Sequence, residues 1–261
     1  FLLGKYLANI DPNGDRPVLF YITKANLTLG DPVVRYFYNE WHRIPESSYN
    51  NRVTMPTKKY GLNPDDYFGP ACCLYPEAVD YRAYKINLFI KNNPRLRGVY
   101  WDENYSHPCQ DIFHKKCGYR LEDGTVQAGS HFYAMRDLDK RVQAILQKYN
   151  RPFPNLLVHN SGILIPPLYS FADIDLRGER QTKNLDFIDY WTLPALEYIG
   201  AGAWGINTMW LTQTMDNPTL ANNRSMLAAL KLFDFNIWNP YCMQQLVAKF
   251  RETENKFGIA E

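Results

Sequence analysis

Apolar residues recur at steps of three and four along positions 132–149, where Phe132, Met135, Leu138, Val142, Ile145, Leu146 and Tyr149 share one face. That period predicts an amphipathic helix, with Arg136, Asp137, Asp139, Lys140 and Arg141 solvated or paired. A second helix is predicted over 78–91, gathering Ala83, Ile86, Phe89 and Ile90 on one side and ending at Asn92-Asn93-Pro94. Further helices are predicted over 188–197, despite Pro194, and over 226–233 and 241–250. Between them lie short β-branched and aromatic runs at 17–22, 71–75, 98–101, 155–159 and 170–175, and a glycine-rich run at 198–207, each predicted to be a strand. Residues 1–16 read as turns. Positions 31–67, with Trp41, His42, Tyr49, Tyr60 and Tyr67 among prolines, read as a long irregular loop over one mouth of the core.

Strands alternating with helices predict an α/β fold with a parallel sheet, and polar residues collected after strands point to a (β/α)8 TIM-type barrel. About five to seven strands can be counted against the eight of a closed barrel. Together with Phe1 in place of Met, the shortfall leads to the expectation of the larger, C-terminal part of a barrel. No linker, repeat or low-complexity tract interrupts the chain, so one domain over 1–261 is expected.

Composition narrows the function. A net charge of +2 offers no basic face for nucleic acid. No apolar run approaches the roughly 18 residues of a membrane span. An aromatic content of 15% suits stacking on sugar rings as well as core packing. The glycines of 198–207 lack the spacing of a dinucleotide or phosphate loop, so no nucleotide and no other cofactor is expected. The five cysteines, Cys72, Cys73, Cys109, Cys117 and Cys242, form no disulfide framework. The loop His107-Pro-Cys109-Gln-Asp-Ile-Phe-His114-Lys-Lys-Cys117 leaves three alternatives open: a zinc site, a loop disulfide, or free thiols. Its spacing departs from common zinc patterns, and no metal ligand is counted among the expected site residues.

The candidate chemistry centres on Gly98-Val-Tyr-Trp-Asp102-Glu103-Asn104, where an apolar strand ends in two consecutive carboxylates. Ligands of parallel α/β folds bind at that end of the strands. Strand side chains alternate faces, so both acids reach one pocket only if the strand bends or stops between them. Adjacent carboxylates disfavour double ionisation, which lets one remain an acid at higher pH. Asp102 and Glu103 are therefore the expected catalytic pair. Tyr100, Trp101, Asn104, Tyr105, His159, Asn160, Asp173, Asp175, Glu179, Trp204 and Trp210 are expected to bind substrate. For Trp204 and Trp210 the alternative is core packing, and for the acids after 170 it is salt bridges with Arg177 and Arg180.

Five stretches resemble the catalytic region of glycoside hydrolase family 123 and its uncharacterised relatives. They are Gly98-Val-Tyr-Trp-Asp-Glu103, the loop Cys109…His114-Lys-Lys-Cys117-Gly-Tyr119, Arg136…Lys140-Arg141, Leu157-Val-His159-Asn-Ser161 and Phe171-Ala-Asp173…Gly178-Glu179. The resemblance implies a β-N-acetylhexosaminidase-like hydrolysis of an N-acetylgalactosaminide-like 2-acetamido-2-deoxy-β-hexoside, in which the substrate's acetamido group is the nucleophile. It also implies that Glu103 is the general acid/base and that Asp102 orients the acetamido group. Two alternatives remain open: a retaining glycosidase with a carboxylate of the pair opposed by Asp175 or Glu179, and a non-catalytic carbohydrate-binding or structural barrel. The expected partner is a carbohydrate, with a homo-oligomer or larger assembly allowed for. The expected location is secreted or periplasmic, as is common for polysaccharide-degrading enzymes.

Overall fold

Val, Ile, Leu and aromatic runs bounded by turn residues become strands when both faces can be buried, and six such runs build a parallel sheet. The computed structural model describes residues 18–24, 26–28, 31–43, 68–71, 73–74, 76–104, 108–114, 117–160, 165–179, 185–200, 205–213 and 219–258. The sheet strands are β1 (Val18–Thr23), β4 (Leu96–Asp102), β7 (Leu156–His159), β8 (Ile174–Arg177), β9 (Asn207–Gln213) and β10 (Asn236–Tyr241), in that order across the sheet. Two antiparallel pairs stand apart, β2 (Asn26–Thr28) with β3 (Phe68–Ala71) and β5 (Tyr119–Arg120) with β6 (Val126–Gln127). In the main sheet the spatial order repeats the chain order, so among the described strands there is no point at which the winding reverses. The fold is mixed α/β. The chain divides into two compact units, Phe1–Leu156 and Leu157–Glu261.

In the first unit, β1 pairs with β4 so that Ile22 faces Trp101 and Thr23 faces Asp102. Leu96, Gly98, Val99 and Trp101 are buried, while Arg97, Tyr100 and Asp102 are half-buried. Gly98 is demanded by proximity: a Cβ there would stand 1.7 Å from the Asn155 carbonyl oxygen, which accepts the Val99 N–H at 2.9 Å. The expected loop over 31–67 begins differently, as two short helices, α1 (Pro32–Tyr36) and α2 (Tyr38–Trp41). Asp31 caps the first by accepting the Val33 N–H, and Pro32 supplies a preset φ in its first turn. Trp41 is buried with Val34 and Ala78, which a solvated loop would not allow. Residues 1–17 and 44–67, with Tyr49, Tyr60 and Tyr67, lie outside the described residues. Helix α3 (Pro76–Asn92) buries Ala78, Val79, Ala83, Ile86 and Ile90. Helix α4 (Phe132–Lys148) buries Met135, Leu138, Val142 and Leu146, with one carboxylate, Asp139, inside the same stripe.

The second unit shifts several expected boundaries. The strand expected over 170–175 starts only at Ile174, because a 3-10 turn over Pro166–Tyr169 occupies the preceding segment. The helix expected over 188–197 is two, α5 (Phe187–Tyr190) and α6 (Leu193–Ile199), since Pro194 has no N–H to give and sits in a first turn. Tyr198 closes α6 instead of opening a strand, and β9 begins at Asn207. Helices α7 (Leu220–Leu232) and α8 (Gln244–Phe257) flank β10. Phe187, Leu196, Trp210, Met226, Leu230, Phe235 and Val247 form the core of this unit.

Replacing Gly98 by Ala forces a methyl group into the Asn155 backbone and is expected to cost upward of about 2 kcal/mol. A fall in the urea midpoint at unchanged slope checks it.

Candidate active site

Regular strand geometry ends at Asp102, and the next residue, Glu103, takes a left-handed backbone with φ 53°. For a side chain with a Cβ that conformation costs roughly 1–2 kcal/mol, so the surroundings must hold it. Its effect is to break the strict alternation of strand side chains. The Glu103 N–H turns back to donate to Asp102 Oδ1 at 2.8 Å, and Glu103 itself is buried at 7% exposure. On the neighbouring strand the Tyr21 hydroxyl donates to Asp102 Oδ2. Burial first, then the Asp102 carboxylate, pushes the Tyr21 phenol above its ordinary value, so it remains a donor. Tyr100 packs edge-on to Tyr21 with ring centroids 5.1 Å apart.

Behind the acid pair lies a charged group with no access to water. Lys24 follows β1, and its Nζ donates to Asn104 Oδ1 at 2.6 Å and to Asp139 Oδ2 at 2.7 Å, with Asp139 Oδ1 also at 2.7 Å. Both charged side chains are fully buried. Burial pushes the Lys24 pKa down and the Asp139 pKa up, and each partner's charge opposes the shift of the other. The Lys24 ammonium also lies 5.5 Å from the Trp101 ring centroid. This corrects two expected sugar contacts. Asn104, at 0% exposure, is tied to Lys24, and Trp101, at 1%, is core.

In the second unit, residues at the carboxyl ends of β7 and β8 form another polar layer. Asp175 and Arg177 alternate to the same face of β8 and are ion-paired while both are buried. Burial is the largest influence on Asp175 and pushes its carboxyl from 3.8 up to about 6, partly offset by Arg177 and His159. His159 ends β7, its Nε2 3.6 Å from the carboxylate of Glu179, which is half-exposed just past β8. Asn160 is buried and donates its backbone N–H to Leu176. Asp173 precedes β8 and so falls at the opposite end from Glu179, a correction that follows from the later start of the strand. Trp210 is enclosed by Phe187, Trp191 and Phe235, and its Nε1 stands 2.4 Å from where a Gly178 Cβ would be. Of the alternatives for Trp210, the structure places it in the core. Tyr105, Trp204, Ser161, Arg180 and His107 lie outside the described residues.

Among the described residues, Cys73, Cys109, Cys117 and Cys242 are not joined in disulfides. Cys109 and Cys117 instead meet Cys73, from the turn between β3 and α3, and His131, from the start of α4. Sequence reasoning did not single out Lys24, Tyr21, Cys73 or His131 for the site. Two signals were present, an acid at position 139 inside an apolar stripe and the Cys72-Cys73 pair at a strand end.

No family profile and no curated protein matches the chain. Among the described residues no helix is long and apolar enough to cross a membrane.

Two expectations follow from the buried charges. Asp139→Asn leaves Lys24 buried without a counter-charge and is expected to cost about 3–5 kcal/mol, most of it recovered when Lys24→Met is added. A double-mutant cycle by denaturant unfolding reads the coupling. For Asp175 the folded chain holds a proton between pH 3.8 and about 6 that the unfolded chain releases, so stability falls as pH rises through that window. Asp175→Asn is expected to gain on the wild type by on the order of 3 kcal/mol across it, with a flat difference on either side.

Proposed function

We propose that the chain is a glycoside hydrolase acting on a 2-acetamido-2-deoxy-β-hexoside, with the substrate's own acetamido oxygen as nucleophile. The observation that carries the reading is the turn at Glu103. It ends the regular strand between two consecutive carboxylates, the break in side-chain alternation that a shared pocket would need. The (β/α)8 barrel belongs to this proposal. A sheet in which chain order and spatial order coincide is what a barrel's single winding requires, and a doubly wound sheet reverses instead.

Each acid has a role suited to its surroundings. Asp102 accepts from Tyr21 on one oxygen and from the Glu103 N–H on the other. It orients the acetamido N–H and offsets the positive charge of the cyclic oxazolinium that forms as the glycosidic bond breaks. Glu103, buried next to it, is the acid that delivers a proton to the leaving oxygen. It then withdraws a proton from the water that opens the oxazolinium, which restores the acetamido group and the starting enzyme.

Glu103→Gln is expected to lower turnover of an aryl 2-acetamido-β-glycoside by about 10²–10⁴-fold with little change in folding. Asp102→Asn is expected to lower kcat on the same substrate while leaving an unfolding midpoint near that of the wild type. Full activity in Glu103→Gln, or equal turnover of glycosides lacking the acetamido group, would contradict the mechanism.

A further inference from the structure

Cys73, Cys109, Cys117 and His131 lie 36, 8 and 14 positions apart in turn along the chain, yet their sulfur and nitrogen atoms all fall within 4.8 Å of one another. All four side chains are buried, with exposures of 1%, 0%, 3% and 8%. Cys117 Sγ is 3.9 Å from Cys73 Sγ, nearly twice the roughly 2.0 Å of a disulfide. Around a tetrahedral zinc, sulfurs at about 2.3 Å from the ion are about 3.8 Å apart, and a sulfur and an imidazole nitrogen are about 3.6 Å apart. The Cys117 Sγ to His131 Nε2 distance is 3.6 Å. These two edges match those of a coordination tetrahedron, and all four atoms lie within 4.8 Å of one another.

We propose that these four residues bind a structural zinc ion, with three thiolates and the Nε2 of His131 as its ligands. The donor set selects the metal: thiolate and imidazole suit zinc, while calcium and magnesium take oxygen ligands. Four protein ligands close the tetrahedron, so the ion has no open position for catalysis. Binding exchanges three thiol protons for one dication and leaves the site with a net negative charge, which surrounding donors spread. The Asp111 N–H reaches Cys109 Sγ at 3.4 Å. His114 Nδ1 lies 3.2 Å from Cys73 Sγ and 3.9 Å from Cys109 Sγ, with Asp111 3.3 Å from its other ring nitrogen. At 3.2 Å from a sulfur, His114 has hydrogen-bond geometry and supports the ligand set from outside it. His131 occupies the N-cap of α4 without making a capping bond, although Ser, Thr, Asp or Asn would serve that position better. Its side chain is spent on the thiols. The ion would fasten the turn before α3, the loop after the acid pair and the start of α4 to one another, whether or not the glycosidase reading holds.

The test uses the full chain, expressed with zinc available and purified without chelator. About one zinc per chain is expected by elemental analysis, with a lowered thermal midpoint after chelation that zinc restores. Cobalt(II) in its place is expected to give the visible absorption of a tetrahedral thiolate site. Cys117→Ser and His131→Ala should lose that spectrum, Cys242→Ser should keep it, and His114→Ala should keep it with affinity lowered about 10–100-fold. Should the ligand variants fail to fold, the wild type still decides. Peptide mapping is expected to find Cys73, Cys109 and Cys117 protected from alkylation until zinc is removed. Absence of metal with no response to added zinc, iron in place of zinc, or a disulfide among the three cysteines would overturn the assignment.

Discussion

A lysine and an aspartate with no solvent contact hold the first unit in register. Removing either charge from water costs several kcal/mol, and only close pairing offsets it, so Lys24 and Asp139 must meet whenever the unit is folded. Lys24 sits at the end of β1, Asp139 in the middle of α4, and Asn104 two residues past β4. Their contact therefore fixes three separate stretches of chain at the carboxyl end of the β1 and β4 pair. An apolar substitute would pack there as well, but it would accept other rotations of the helix and a direction-dependent bond does not.

That anchor explains how Glu103 is kept in a backbone conformation that carries strain. The residue before it is bound through its side chain by Tyr21, and the residue after it is bound by Lys24. With both neighbours fixed, the turn at Glu103 is imposed from its flanks. Such over-determined strain is common where a fold presents reactive groups. In the proposed zinc site, Cys109 is only six positions beyond Glu103, so the ion would tether the chain soon after the acid pair. Helix α4 carries a member of each group, His131 at its start and Asp139 two turns on.

The polar layer of the second unit obeys the same rule with a different outcome. Asp175 is paired with Arg177, yet burial outweighs the pairing and holds its proton up to about 6. It is a group whose charge is adjustable near neutrality, beside a histidine and within a parallel strand. Groups of that kind are concentrated at functional sites, although ion pairs within a structure also produce them.

The sequence by itself determined the alternation of strand and helix, the long stripe of α4, and the placement of Asp102 and Glu103 at a strand end, because these follow from periodicity within a few residues. It left the Cys109 and Cys117 loop open to zinc, a disulfide or free thiols. Boundaries next to prolines and glycines were legible only in part: Pro166-Pro167 and Pro194 mark a break without saying which element takes the residues beside it. Only the tertiary structure decided what Asn104, Trp101 and Trp210 do, since an asparagine or an indole is equally suited to a sugar or a core and burial alone tells them apart. Only it brought Lys24 across 115 positions to Asp139, and Cys73 and His131 to the cysteine loop. Those contacts join residues whose spacing carries no period, and it is chain folding, by removing water from charges and thiols, that makes partners of them.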